Sequence, residues 1–138
     1  MGLLAQDIMT KDPVSATEDT PLGNALEILL SLDIRHLPIV NRAGELVGMV
    51  SDRDLRGVNL PVVPGMDPSG RGKVALNRPV STVMSSDVIS VDTEAELQEV
   101  IELMLENKVG AIPVTDPEGE LVGIISYVDV LRQVQGSL

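Results

Sequence analysis

Apolar positions along the chain follow two rhythms, a helical one and then a strand-like one, and the whole sequence of rhythms occurs twice. Leu22, Ala25, Leu26 and Leu29 recur at the spacing of one helix face. Two short apolar runs follow, Leu37-Pro38-Ile39-Val40 and Leu46-Val47-Gly48-Met49-Val50. Runs this short, bounded by turn residues, read as buried strands. In the second half Leu97, Val100, Ile101, Met104 and Leu105 line a helix face, and strands are predicted over residues 111–114 and 121–125. A shift of 75 residues superposes the halves without a gap from Met9/Met84 to Arg56/Leu131. Identical pairs include Asp12/Asp87, Leu22/Leu97, Pro38/Pro113, Ser51/Ser126 and Asp54/Asp129. An ungapped match of this length marks a duplicated structural unit.

Polar punctuation completes the elements. Thr20-Pro21 reads as a helix start, with Thr20 as N-cap and Pro21 in the first helical position. Thr93-Glu94-Ala95-Glu96 has the spacing of a capping box. The first long helix is expected to end near Leu32 and Asp33, and the second ahead of Gly110. Residues 41–44 and 116–119 read as hairpin turns closed by glycine. A leading helix is predicted over residues 3–9, a leading turn over 79–84, and brief strands over 14–16 and 88–91. Ser51 and Ser126 each cap a following helix, the first stopped by Gly57 and Pro61, the second running to about residue 134.

Each repeat is therefore predicted as β-α-β-β-α, an α/β (α+β) fold with hairpin strands antiparallel and a right-handed parallel crossover. A single repeat of about fifty residues is marginal alone, so the two sheets are expected to pack face to face about a pseudo-two-fold axis. Residues 57–78 match nothing in the other half and are rich in proline and glycine; they read as a flexible connector or a ligand-gated lid. The expected domain bounds are 8–66 and 80–138, with a connector at 67–79.

Composition narrows the function. A net charge of −11 opposes nucleic-acid binding, since phosphate backbones need a positive footprint. One Tyr and no Phe or Trp leave no aromatic platform for stacking bases. The absence of Cys excludes disulfides and thiolate metal sites and fits a cytoplasmic setting. No apolar run approaches the roughly 20 residues that span a bilayer, so no membrane association is expected. The first residues show no signal-peptide pattern, and Gln6 breaks the myristoylation pattern. With one His, no Cys and no His/carboxylate cluster, neither an enzyme nor a metal site is expected, and no cofactor is required.

The duplicated stretch from Ile39-Val40 to Gly48-Met49-Val50-Ser51-Asp52-Arg53-Asp54, with its second copy, resembles the CBS (cystathionine-β-synthase) domain. Two in tandem resemble the CBS pair, or Bateman module, in its stand-alone form. The resemblance implies an energy- or metabolite-sensing module that binds AMP, ADP, ATP or S-adenosylmethionine in clefts between the two sheets. It also implies homodimers of pairs and a regulated enzyme or transporter partner. The alternative is a structural dimerisation module with degenerate, non-binding clefts.

By this resemblance Asp54 and Asp129 take ribose hydroxyls. Ser51, Ser126, Thr20, Arg35, His36 and Arg53 are placed against phosphate, and Ile34, Ile39, Val109 and Ile112 around adenine. Residue chemistry alone leaves blander roles open: Ser and Asp as cap and first-turn acid, Arg35 as a solvated charge, His36 as a core or rim histidine, the aliphatics as plain core. The second repeat has Gly110-Ala111 in place of Arg35-His36 and Val128 in place of Arg53, so the two clefts are expected to differ in phosphate affinity.

Overall fold

In both halves a long helix buries its apolar stripe on a small sheet, and the central strands are buried over runs of three or four consecutive residues. The computed structural model of the chain describes residues 2–56 and 76–137; the expected connector, the stops at Gly57 and Pro61 and the lid reading fall wholly or mostly outside the described residues. The elements are α1 (Ala5–Ile8), β1 (Thr10–Lys11), β2 (Ala16–Thr17), α2 (Leu22–Ser31), β3 (His36–Val40), β4 (Leu46–Ser51) and α3 (Asp52–Arg56). A 3-10 turn at Val80–Thr82 precedes β5 (Val91–Asp92), α4 (Leu97–Asn107), β6 (Ala111–Thr115), β7 (Leu121–Ser126) and α5 (Tyr127–Gly136).

The chain divides into two units. Unit 1 comprises described residues 2–13, 43–46 and 89–137. Its sheet has the order β1-β7-β6-β5. β5 runs parallel to β6, β6 antiparallel to β7, and β1 antiparallel to β7, with Lys11 opposite Gly123. Its core gathers Ala5, Ile8, Val100, Ile112, Val114 and Ile125. Unit 2 comprises residues 14–42, 47–56 and 76–88. Its sheet has the order β2-β3-β4, and β2 runs parallel to β3. Its core gathers Leu22, Leu29, Leu37, Ile39, Val50 and Val80.

Each sequence repeat is thus completed by a segment from elsewhere in the chain. Residues 2–13 belong to unit 1, where Ala5 N–H donates to the Ala95 carbonyl (2.7 Å) and Leu97 N–H to that of Leu3 (3.0 Å). The equivalent bonds in unit 2 run from Val80 N–H to the Thr20 carbonyl (2.8 Å) and from Leu22 N–H to that of Arg78 (2.8 Å). Where unit 1 has β1, unit 2 has a single bridge between Met49 and Ser85.

Two helix starts differ from expectation. The N-cap of α2 is Pro21 and that of α4 is Glu96, and neither has a side-chain cap. Thr20 is instead spent in the preceding turn, where its Oγ1 accepts from Thr17 N–H (3.1 Å). Asp92 plays the matching part in the second repeat: its Oδ1 accepts from Glu94 N–H (2.9 Å), so Thr93 to Glu96 form a turn and not a capping box.

Both long helices end in the same way. Asp33 (φ 52°) and Lys108 (φ 53°) adopt the left-handed conformation, and the following N–H reaches back five residues, Ile34 to Leu29 (3.0 Å) and Val109 to Met104 (3.2 Å). This is a Schellman ending without the usual glycine. A left-handed L-residue costs about 1–2 kcal/mol. Lys108→Gly is therefore expected to stabilise the protein by about 1 kcal/mol, less the extra chain entropy that glycine brings to the unfolded state. A lowered melting temperature in that variant would contradict the assignment.

Candidate functional site

In each repeat the last long strand turns directly into a helix, and a Ser-x-x-Asp pair sits on the corner. In unit 2 the Ser51 N–H donates to Asp54 Oδ2 (2.8 Å) while the Asp54 N–H donates to Ser51 Oγ (3.1 Å). In unit 1 the Ser126 N–H and Oγ both donate to Asp129 Oδ2 (2.9 and 3.1 Å), and Asp129 N–H returns a bond to Ser126 Oγ (3.3 Å). These are reciprocal capping boxes, and both caps expected from the sequence are present. The capping role does not exhaust the carboxylates. An ionised carboxylate has about four acceptor sites, and among the described residues only the Oδ2 atoms of Asp54 and Asp129 are engaged.

A second backbone bond locks each corner to the start of the neighbouring strand. Asp52 N–H donates to the Arg35 carbonyl (3.0 Å), and at the equivalent place Tyr127 N–H donates to that of Gly110 (2.9 Å). Arg35 and His36 therefore stand at the Ser51–Asp54 corner, with Arg35 and Arg53 exposed and His36 half-buried. The equivalent corner in unit 1 is flanked by Gly110 and Ala111, with Val128 exposed on the first turn of α5. Sequence reading passed over Asp52 and Tyr127, whose signal was their shared place in the repeat, one residue after the serine.

The remaining expected positions are spread differently. Thr20, expected as the helix cap, lies in the turn ahead of α2, hydrogen-bonded to Thr17. In that turn the Thr17 hydroxyl donates to Asp19 Oδ1 (2.6 Å) and holds its carboxyl below the ordinary range. Ile39 and Ile112 are fully buried core residues of their units. Ile34 and Val109 stay half-buried at the edges of the same cores. Among the described residues no group of three or more His, Cys, Asp and Glu is placed to hold a metal ion, and no helix is long and apolar enough to cross a membrane.

Burial pulls the His36 imidazole below its ordinary pKa, and Arg35 acts in the same direction; Asp52 and Asp54 oppose them. The folded chain thus gives up the His36 proton at a lower pH than the unfolded chain does. Above about pH 6.5 it is neutral in folded and unfolded chains alike. Below that the unfolded chain takes up the proton first, so stability falls with pH until the folded imidazole also titrates. The melting temperature of the wild type is expected to drop more steeply between pH 7 and pH 5 than that of His36→Gln. Parallel profiles would contradict this.

Comparison with known proteins identifies the family of the two repeats. A family model for the CBS domain matches residues 5–61 and 80–136. A CBS domain-containing protein of Dictyostelium discoideum is 32% identical over 132 residues, covering 95% of this chain and 90% of that protein. The crystal structure of CBSX2 in complex with AMP superposes with a TM-score of 0.82 at 27% identity, covering 98% of both chains. The CBS domain pair of protein MJ0100, in complex with 5-methylthioadenosine and S-adenosyl-L-methionine, superposes with a TM-score of 0.80 at 25% identity over 100% of both chains. Other curated relatives are much longer, and the chain spans 23% to 25% of the length of two of them.

Proposed function

The chain belongs to the CBS-domain family, and on that premise we propose that it is a regulatory module, not an enzyme, that binds an adenosine-containing ligand at its Ser-x-x-Asp corners. The observation that carries this reading is the Oδ1 of Asp54 and of Asp129, which makes no hydrogen bond among the described residues and is held at a fixed angle by a closed capping box. A carboxylate oriented in this way accepts from vicinal ribose hydroxyls. Ser51, Arg35, His36 and Arg53 supply the phosphate side, and Ile34 and Val109 offer apolar edges for the base. Relatives that match over their full length and were crystallised with AMP, 5-methylthioadenosine and S-adenosyl-L-methionine support the ligand class. The ligand acts as a signal: it biases a conformational equilibrium by its differential affinity for the two states, and a partner enzyme or transporter reads the result.

The same reading includes a homodimer. Leu30 and Leu105 occupy equivalent positions in the two repeats and are 72% and 73% exposed. On α5, Leu131 and Val134 are exposed as well. Leu105→Glu is expected to shift the sedimentation coefficient from dimer toward monomer; an unchanged coefficient removes this surface from the account.

A thermal-shift screen with AMP, ADP, ATP, S-adenosylmethionine and 5-methylthioadenosine tests the ligand class. Ligand at a hundredfold excess over Kd adds about 2.7 kcal/mol, which raises Tm by several degrees in a domain of this size. No shift with any of the five at millimolar concentration leaves only the structural dimerisation module.

A further inference from the structure

Residues 2–13 belong to unit 1, yet the chain leaves them for unit 2 at Val14 and, apart from the turn at 43–46, regains unit 1 only at Ile89. The segment is therefore held in its unit by contacts and not by adjoining chain. Ala5 and Gln6 N–H donate to the carbonyls of Ala95 and Thr93 (2.7 and 3.0 Å), and Asp12 N–H to that of Val122 (3.3 Å). The Leu97 N–H donates in turn to the Leu3 carbonyl (3.0 Å). Thr10 and Lys11 pair with Ile124 and Gly123, and Ala5 and Ile8 are buried in the core of the unit. These partners all lie in the stretch that begins at Ile89. The same set of contacts forms whether the segment comes from the chain it fills or from a second copy.

The join between segment and unit 2 is strained. Asp12 has φ 48°, in the left-handed region that disfavours an L-residue. Pro13 follows it, and a proline pushes the residue before it toward extended backbone. Asp12 thus opposes both preferences to turn the chain out of β1 and into unit 2. It is also exposed, so nothing around it has to unpack when it straightens. The strain is particular to this crossing. Asp87, the counterpart of Asp12 in the second repeat, stands just ahead of the return to unit 1 and does not share the positive φ.

We infer that residues 2–13 exchange between two copies of this chain, each filling the seat in unit 1 of the other. In the exchanged form the hinge at Asp12 and Pro13 extends, the left-handed residue relaxes, and every contact in the seat is kept. The core of unit 1 in each copy is then completed by the Ala5 and Ile8 of its partner. The exchange makes the assembly depend on protein concentration. It is separate from the leucine surface of Leu30 and Leu105, and it stands whether or not the chain binds adenosine.

The chain has no Cys, so introduced thiols report one contact each. Thr10 and Ile124 are direct partners in the β1–β7 pair. Full-length Thr10→Cys and Ile124→Cys chains are prepared separately, checked for folding by melting curves, and mixed at high protein concentration just below the melting temperature. The mixture is then cooled, oxidised, and read by non-reducing electrophoresis and peptide mapping. A chain carrying both substitutions, oxidised when dilute, shows that the two thiols meet within one folded copy. A disulfide between position 10 of one chain and position 124 of another is expected in the mixture, with a yield that rises with concentration. Asp12→Gly in both chains should lower that yield about tenfold or more at a given concentration, since glycine takes the left-handed conformation without steric cost and so favours the closed copy. Leu105→Glu in both chains should leave it unchanged. A mixture that stays unlinked at every concentration while the double variant links within itself overturns the exchange. So does a link that Leu105→Glu abolishes, which assigns the contact to the leucine surface. A yield that Asp12→Gly does not change overturns the role given to the hinge.

Discussion

Valine at Gly123 should destabilise unit 1 by about 3 kcal/mol, at the upper end of the usual range for overpacking. Met9 occupies the space above that glycine. A Cβ built there would lie 2.8 Å from Met9 Cγ and 3.0 Å from its Cβ, and would overlap the sulfur. The Cβ cannot swing aside without moving the main chain just ahead of β1, and β1 is paired to β7 opposite Gly123 itself. In the equivalent pair in unit 2, Gly48 and Met84, the nearest atoms are Cγ, the sulfur and Cε. That side chain can rotate away, so Gly48→Val should cost less than Gly123→Val. The pairing also makes a coupling test: Met9→Ala opens the space, and the double variant should recover a good part of the loss in a double-mutant cycle. Denaturant unfolding of the four proteins gives the energies. A Gly123→Val protein within about 0.5 kcal/mol of the wild type, the ordinary surface range, would show that the methionine does not fill this gap.

Removing residues 2–13 should do more damage still, and to the far half of the chain. The deletion takes the edge strand β1 from the sheet of unit 1 and the buried Ala5 and Ile8 from its core. Truncating a buried isoleucine to alanine alone costs about 2–5 kcal/mol. The backbone donors and acceptors of Ala95 and Leu97 also lose their partners in Ala5 and Leu3. Hydrogen exchange in α4, β6 and β7 is expected to approach unprotected rates in the truncated chain. Ile8→Ala serves as the milder control, with protection reduced but not abolished. Full protection of those elements after truncation would mean that the leading segment contributes little to the core it enters.

The repeat itself was legible because hydrophobic spacing survives duplication: the faces of α2 and α4, the central strands and the glycines at 44 and 119 all follow from it. Both glycines adopt φ 84°, a conformation that L side chains rarely take, so the turns carry their own signature. Ser51 and Ser126 were readable as caps because the serine and the aspartate that reciprocates lie three residues apart. Thr20 and the Thr93 to Glu96 stretch carry the same letters, yet another geometry claims them. Each helix starts later than its polar signal, because a turn pinned by Thr17 or Asp92 comes first. The end of α2 falls where expected, at Leu32 and Asp33, but its left-handed closure, like that of α4, was obscured for the opposite reason. Asp33 and Lys108 take a conformation that their side chains do not advertise, and the visible Gly110 lies two residues beyond the true cap.

The short edge strand β1 has no periodicity to read, since two residues cannot show one. That residues 2–13 complete the second repeat is likewise invisible locally; the pairing of Lys11 with Gly123, the backbone bonds to Ala95 and Leu97 and the burial of Ala5 and Ile8 reveal it. At the candidate site, Ser51 and Asp54 flank the start of α3 and Arg35 precedes β3 as expected, whereas His36 is the first residue of β3 itself. Ile39 and Ile112 were not separable from the core by sequence, because an aliphatic residue in a buried strand looks the same whether it faces a ligand or a neighbouring side chain.

Among the described residues, each capping box engages the Oδ2 of its aspartate with the backbone and keeps Oδ1 in reserve. A crystal structure of the full chain grown with AMP shows directly what the reserved oxygen does. The ribose 2′ and 3′ hydroxyls are expected about 2.5–3.0 Å from the Asp54 carboxylate, with Oδ2 still accepting from the Ser51 N–H. AMP bound elsewhere on the protein, or bound with its ribose turned away from Asp54, would contradict the assignment of these corners as nucleoside sites.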